Sequence, residues 1–304
     1  MLKYDKRIKK SEIGPDVSRI WNERITKILE KFVEICEKNN LRYILSYGSV
    51  IGAVRHKGII PWDDDIDVAM PQPDYDKFLD ICKKIDLGDY ELFTPEETPG
   101  FYAFNALLVD KNSSLMLWRK HLCVLGLFLD IFPISGISKG REMRSKLFYK
   151  MCDYQDYLLA VSSKYDRRTL YNIWCNKKFR RFFSAIICSL NRNFFRKWIL
   201  QKAKQIRTKY EYENSEYVVN YTPVYGEKQI FPKKWIEETI LVDFENLKVR
   251  IPKDYDAYLK HFYGDYMKLP PEEERDDRHE FDYLNFNERK SRSEILEIIK
   301  KEGR

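Results

Sequence analysis

Three aspartates and one glycine-serine pair carry most of the chemistry legible in this 304-residue chain. Tyr47-Gly48-Ser49 is followed, after fifteen intervening residues, by Asp65-Ile66-Asp67-Val68. If residues 66–70 form a strand, side chains alternate between its faces. Asp65 and Asp67 then share one face while Ile66 and Val68 enter a core. Two carboxylates held that close repel unless a cation lies between them. Hard oxygen donors select Mg²⁺ or Mn²⁺, ions that neutralise phosphate charge while a phosphoryl or nucleotidyl group moves. Gly48 lets backbone approach a phosphate, and Ser49 offers a hydroxyl and the first N–H groups of a helix.

A third carboxylate is expected on a neighbouring strand. Asp130, in Gly126-Leu127-Phe128-Leu129-Asp130-Ile131-Phe132-Pro133, is one acid in an apolar stretch, where an unpaired carboxylate would be costly to bury. The competing reading is a strand-end Asp capping a turn at Pro133. A calcium loop is the rival for Asp63-Asp64-Asp65-Ile66-Asp67. It fails, because Val68 and Asp74 stand where an EF-hand needs Gly and Glu.

The elements that must position these groups read as mixed α/β. Apolar spacing predicts a helix over 16–40, a strand over 42–47 and a short helix over 49–55. After the 66–70 strand, Pro71 and Pro73 break the chain and Asp74 caps a helix to residue 84. Strands are expected over 103–109 and 126–132, then a helix over 141–159 and more helix through a basic stretch. Further strands are expected near 229–231 and 247–251, with a helix over 254–263 ended by Gly264. This divides the chain into a core over 1–136, a helical insertion over 137–214 and a C-terminal part of the core over 215–304.

The net charge of +7 is an average over unlike regions. Residues 164–209 carry +13, so the remainder carries −6. The apolar run within the basic stretch, 182–190, is far short of the roughly 20 residues a membrane span needs. It suits a packing helix, a helix at an anionic membrane surface, or a polyanion-binding face. No RNP, zinc-finger or helix-turn-helix pattern supports a nucleic-acid partner. Six cysteines without a CxxC pair, and four histidines, assemble no zinc cluster. Scattered cysteines and a charged N-terminus without an apolar signal core fit a cytoplasmic protein.

The words around these residues are more specific than the residues alone. The run from Leu45-Ser46-Tyr47-Gly48-Ser49 through Arg55-His56-Lys57-Gly58 to Pro61-Trp62-Asp63-Asp64-Asp65-Ile66-Asp67 strongly resembles the opening signature of the LicD family. The same signature appears in its relatives, the fukutin-type ribitol-phosphate transferases. Leu129-Asp130-Ile131-Phe132-Pro133 resembles a further block, and the stretch 255–279, through Tyr263-Gly264-Asp265-Tyr266 to His279, resembles a third.

The resemblance implies a nucleotidyltransferase-like core and metal-dependent transfer of a phospho-alcohol from a CDP-activated donor, typically CDP-choline. The implied acceptor is a hydroxyl on a cell-surface glycan precursor such as teichoic acid or lipopolysaccharide. Asp65, Asp67 and Asp130 become the metal triad, with Asp130 as base, and Gly48 and Ser49 the phosphate cradle. Arg55, His56, Lys228 and His279 become substrate-binding candidates, and Asp63 and Asp64 supports or holders of a second ion. A quaternary ammonium is held by aromatic faces; Trp62, Tyr102, Phe104 and Tyr221 are positions to examine, and composition alone locates no cage. The expected protein is cytoplasmic, peripheral on the inner face of the membrane. The rivals are another CDP-alcohol (ribitol or glycerol), true nucleotidyl transfer, and a non-enzymatic membrane or polyanion binder, against which the intact acids argue.

Overall fold

A computed structural model describes residues 7–164, 191–275 and 279–303. The apolar run 182–190, with Arg180 and Arg181, lies outside the described residues, as do Asp276, Asp277 and Arg278.

The long N-terminal helix α1 (Pro15–Lys38) buries Trp21, Ile25, Ile28, Leu29, Phe32, Ile35 and Cys36, an apolar stripe at helical spacing. It packs against the sheet, and its Phe32 meets Tyr43 at 5.3 Å and Phe78 at 5.1 Å. The expected strand after it contracts to β1 (Ile44–Leu45). Next come the short helix α2 (Gly48–Ile51), a π-turn over Gly52–His56, and β2 (Asp67–Pro71). β2 starts one residue later than expected, with Asp65 in the loop before it as the expected bounds implied; Ile66 and Val68 are fully buried.

The helix α3 (Gln72–Cys82) follows, with Pro71 rather than Asp74 at its N-cap and no side-chain cap. Asp74 is drawn instead to Arg42, accepting from its backbone N–H at 3.3 Å and its Nε at 2.8 Å. A buried carboxylate gains more from a guanidinium than from exposed amides.

The strands β3 (Tyr90–Phe93), β4 (Ala106–Asp110) and β5 (Phe128–Gly136) complete the central order β1-β2-β5-β4-β3. β2 and β5 are parallel, and the other pairs antiparallel. β5 runs through Pro133 instead of turning there. Proline lacks a ladder donor, and Pro133 falls between two antiparallel neighbours. β4 has ended at the pair Ala106 and Ile131, and β6 (Tyr217–Val219) begins only at Ser135 and Val219. β7 (Ile230–Pro232) extends the sheet beyond β6. A hairpin of β8 (Thr239–Phe244) and β9 (Leu247–Pro252) and the helix α6 (Tyr255–Tyr263) close the core.

Between β5 and β6 the chain forms α4 (Arg141–Val161) and, after the undescribed segment, α5 (Arg192–Arg207). These helices pack on each other through Leu147, Phe148, Met151, Leu158, Ile199, Ala203 and Ile206, with Phe104, Val219 and Tyr221 of the core in the same cluster. Arg192 donates to Val161 O at 2.9 Å and to Ser163 O at 2.5 Å. Arg196 donates to Ser162 Oγ at 2.7 Å and Pro95 O at 2.6 Å. Arg192 thus satisfies carbonyls at the C-terminal end of α4, where a helix leaves acceptors unpaired, and Arg196 ties that end to the segment at Pro95.

Candidate active site

Asp67 and Asp130 are register partners across the parallel strands β2 and β5. Neighbouring strands lie about 4.8 Å apart, so their side chains stand side by side. Asp65 joins them from the preceding loop, and the three carboxylates each offer an oxygen within 4.8 Å of the others. Burial pushes both strand carboxyls up from the usual range, and neighbouring negative charge adds to it. Asp67 lies well above its ordinary value, with Asp65 the largest charge acting on it. Asp130 reaches about 7, although His279 and a hydrogen bond from Asn105 pull the other way. Asn105 Nδ2 donates to Asp130 Oδ1 at 2.6 Å and so fixes that carboxylate's orientation.

The acidic loop is pinned from beneath by α1 and the segment before it. Trp21 Nε1 donates to Asp64 O at 2.8 Å, and Lys10 Nζ donates to Asp63 O at 2.5 Å. His279 Nδ1 lies 3.0 Å from Asp64 Oδ1 and 3.6 Å from Asp65 Oδ2. Burial opposes charging this imidazole, but the bond to Asp64 and the surrounding carboxylates outweigh it and push its pKa up to about 10. It therefore stands as a cation at neutral pH. Asp64, Asp65 and His279 also bring ligand atoms within 4.8 Å of one another, sharing Asp65 with the first group, but the imidazole would ligate an ion only after losing its proton.

Tyr47 turns the chain from β1 into α2 with φ +49° and ψ −125°, a conformation that costs a bulky residue energy. Packing and hydrogen bonds hold it there. Its ring stacks on Tyr225 at 5.2 Å and meets Phe262 edge-on at 5.3 Å. Its hydroxyl accepts from Asn220 Nδ2 and donates to Gln229 Oε1, both at 2.6 Å. Gly48 then comes so close to the acidic loop that a Cβ would lie 3.0 Å from Asp63 Oδ2. Ser49 Oγ accepts from the Asp67 backbone N–H at 2.8 Å.

A cavity of about 690 Å³ opens over these groups. Of the residues singled out from sequence, Gly48, Arg55, Asp65, Asp67, Asp130 and His279 line it together, as does Asp63. Ser49, His56, Asp64, Lys228 and the aromatic positions Trp62, Tyr102, Phe104 and Tyr221 are not brought into its lining. Ser49 turns its hydroxyl to the Asp67 backbone instead. His56 accepts from Arg55 Nε at 2.9 Å. Lys228, exposed on the surface, donates to Phe262 O at 3.0 Å. Arg55 is steadied by donating to Tyr266 O at 2.7 Å.

Trp62 lies under the guanidiniums of Arg55 and Arg275, at 5.8 and 5.4 Å from its ring centroid, so cations of this chain already occupy its face. Sequence reasoning missed Asn105, Gln229, Tyr225, Tyr263 and Lys268, all of which line the cavity. Tyr263 and Lys268 lie in the C-terminal stretch 255–279 that carried part of the resemblance, so a signal for them existed. Asn105 had none, being one polar residue ahead of an apolar strand.

Residues 40–155 match the family described as LicD/FKTN/FKRP, nucleotidyltransferase domain. The lipopolysaccharide cholinephosphotransferase LicD of Haemophilus influenzae is 30% identical over 255 residues, covering 83% of this chain and 92% of that protein. An uncharacterized protein of Rickettsia prowazekii is 33% identical over 97 residues, 26% of this chain and 36% of its own length. A second, from Rickettsia typhi, is 46% identical over 59 residues, 19% of each chain. The span of the first relative, and the position of the acidic centre within the matched domain, show that this chain belongs to the LicD family.

Proposed function

We propose that this protein transfers phosphocholine from CDP-choline to a hydroxyl of a cell-surface glycan precursor, of the lipopolysaccharide or teichoic acid type, releasing CMP. The observation that carries the reading is the convergence of Asp65, Asp67 and Asp130 beneath a cavity with a cationic rim. The choice of phosphocholine follows the activity named for the Haemophilus relative.

The donor set fits a divalent cation. Three carboxylates share a space of 4.8 Å, and burial together with neighbouring negative charge raises the pKa of Asp67 and Asp130, an opposition to ionisation that a divalent cation would relieve. Asp65, Asp67 and Asp130 would hold Mg²⁺ or Mn²⁺, which supplies charge neutralisation at the diphosphate. The chain's own groups do the rest. Arg55 and Lys268 bind phosphate oxygens from the cavity wall, and Gly48 admits the diphosphate close to the backbone. Asp130, oriented by Asn105, accepts the proton of the acceptor hydroxyl. The acceptor oxygen bonds to the phosphorus bearing choline, and the bond to the CMP oxygen breaks.

We place the protein in the cytoplasm, peripheral on the inner face of the membrane. No described helix is long and apolar enough to cross a bilayer. Phe194 and Trp198 are exposed on α5 beside Lys197, which suits contact with anionic headgroups. The test is phosphorus NMR of the protein with Mg²⁺, CDP-choline and a membrane-derived glycan acceptor. Free CMP with a new phosphodiester is expected. Nucleotide on the acceptor would replace this reading with nucleotidyl transfer, and turnover of CDP-ribitol or CDP-glycerol alone would change the alcohol.

A further inference from the structure

A second cavity, of about 210 Å³, adjoins the first and shares Asn105, Phe132 and Thr222 with it. We infer that it seats one saccharide ring of the acceptor beside Asp130. The inference rests on the reading of a glycan acceptor given above.

Position is the first argument. Asp130 lines the larger cavity only, but Asn105, which lines both, donates to it. A group seated in the smaller cavity is therefore separated from Asp130 by the Asn105 side chain and reaches it through the space the two cavities share. Arg55 and Lys268, the cations suited to a diphosphate, line only the larger one.

The lining is the second. Tyr102, Phe104, Phe132 and Tyr221 present aromatic surface, with Met151 and Pro223 between them. Apolar walls carrying a few polar groups suit a ring with C–H faces and a hydroxyl edge. At about 30 Å³ per water, the space holds roughly seven waters, enough for one ring and not an oligosaccharide.

The polar groups are the third. The Tyr221 hydroxyl is buried without a hydrogen-bond partner, and so is Arg207 Nε. Buried polar atoms are ordinarily paired, so this end of the lining carries polar groups whose hydrogen-bonding capacity is not used within the chain, and a small side-chain rotation would turn them to the cavity. Gln155 donates Nε2 to Tyr102 O at 2.7 Å, which leaves its Oε1 to accept from a hydroxyl. Arg207 also argues against the trimethylammonium group of the donor, which a neighbouring cation repels. Gln155 and Met151 come from α4 and Arg207 from α5, so the insertion builds a wall of the cavity.

The test uses the full chain and saturation-transfer NMR with methyl glucopyranoside, methyl galactopyranoside and N-acetylglucosamine as probes. At least one should bind. Ala103→Trp, which fills the cavity from a part-buried position, should abolish that binding. Tyr221→Phe should weaken it by about three- to tenfold, the effect of one hydrogen bond. Failure of all three sugars to bind, or binding retained in a folded Ala103→Trp, overturns the inference. Should Ala103→Trp not fold, unchanged affinity in Tyr221→Phe overturns it equally. The two readings separate cleanly. Sugar binding without phosphocholine transfer sinks the donor assignment alone. Transfer with an unaltered acceptor KM in both variants sinks the acceptor cavity alone.

Discussion

Asp67 and Asp130 stand opposite one another on adjacent parallel strands, with their carboxylates facing the same cavity. Burial and mutual repulsion make the folded protein hold protons there that the unfolded chain would release. The Asp130 carboxyl rises from 3.8 to about 7. In that interval the native state binds more protons than the unfolded state, so stability falls as pH rises. The cation-free protein should therefore lose on the order of a few kcal/mol between about pH 4 and about pH 7. Mn²⁺ or Mg²⁺ should raise the melting temperature more at the upper end of that range than at the lower. Calorimetry across pH with and without the ion checks this, and an equal gain at all pH values would contradict it.

Asp67→Asn removes one of three crowded charges while keeping the side chain's shape. Turnover should fall by at least about 10²- to 10³-fold, the usual cost of losing a group that stabilises transition-state charge. Folding should survive, and the melting temperature without cation should equal or exceed that of the parent. The cation-induced gain should shrink. An active Asp67→Asn enzyme would refute the assignment of the centre.

Ser49→Ala tests a different link. The Ser49 hydroxyl receives the Asp67 backbone N–H, so its role lies in fixing the first residue of β2. Losing it orphans a part-buried donor at about 1–3 kcal/mol, which urea unfolding will register. kcat should fall with the misplaced carboxylate, while KM for the donor stays near its parent value. A rise confined to KM would favour direct phosphate binding by the hydroxyl.

The acids were legible in the sequence because carboxylates at i and i+2, and one more in an apolar strand, are costly without a shared purpose. The helix stripe from Trp21 to Cys36 was legible from its period. The supports were not, because they depend on contacts between distant segments. Asn105 meets Asp130, Trp21 meets the Asp64 carbonyl, and Gln229 meets Tyr47 across 182 positions. Asp74 read as a helix cap because local rules see only its neighbours, whereas Arg42 lies 32 residues away.

Tyr47→Phe probes one of those distant supports. Thr222 N–H donates to Asn220 Oδ1 at 3.1 Å, which directs Asn220 Nδ2 to Tyr47 and the Tyr47 proton to Gln229. Removing the hydroxyl strands a buried donor and a buried acceptor, each costing about 1–3 kcal/mol. It also loosens the strained turn that carries Gly48. Stability should fall by about 2–6 kcal/mol, the sum for the two groups, and kcat should fall while the fold persists by circular dichroism.

The basic residues of α5 divide by what they touch. Arg192, Arg196 and Arg207 donate to carbonyls or a hydroxyl of this chain, so their charge serves the fold as well as the surface. Lys197 is exposed beside Trp198 and Phe194 and has no such duty. Arg196→Ala should lower the melting temperature, because it leaves Pro95 O and Ser162 Oγ without their donor. Lys197→Glu with Trp198→Ser should leave the melting temperature nearly unchanged, as exposed substitutions generally do within about 0.5 kcal/mol. The double variant should float less with anionic vesicles, and added salt should weaken the parent's binding as surface charges are screened. If flotation of the double variant matches the parent, α5 is a packing helix with a charged exterior and the membrane contact lies elsewhere.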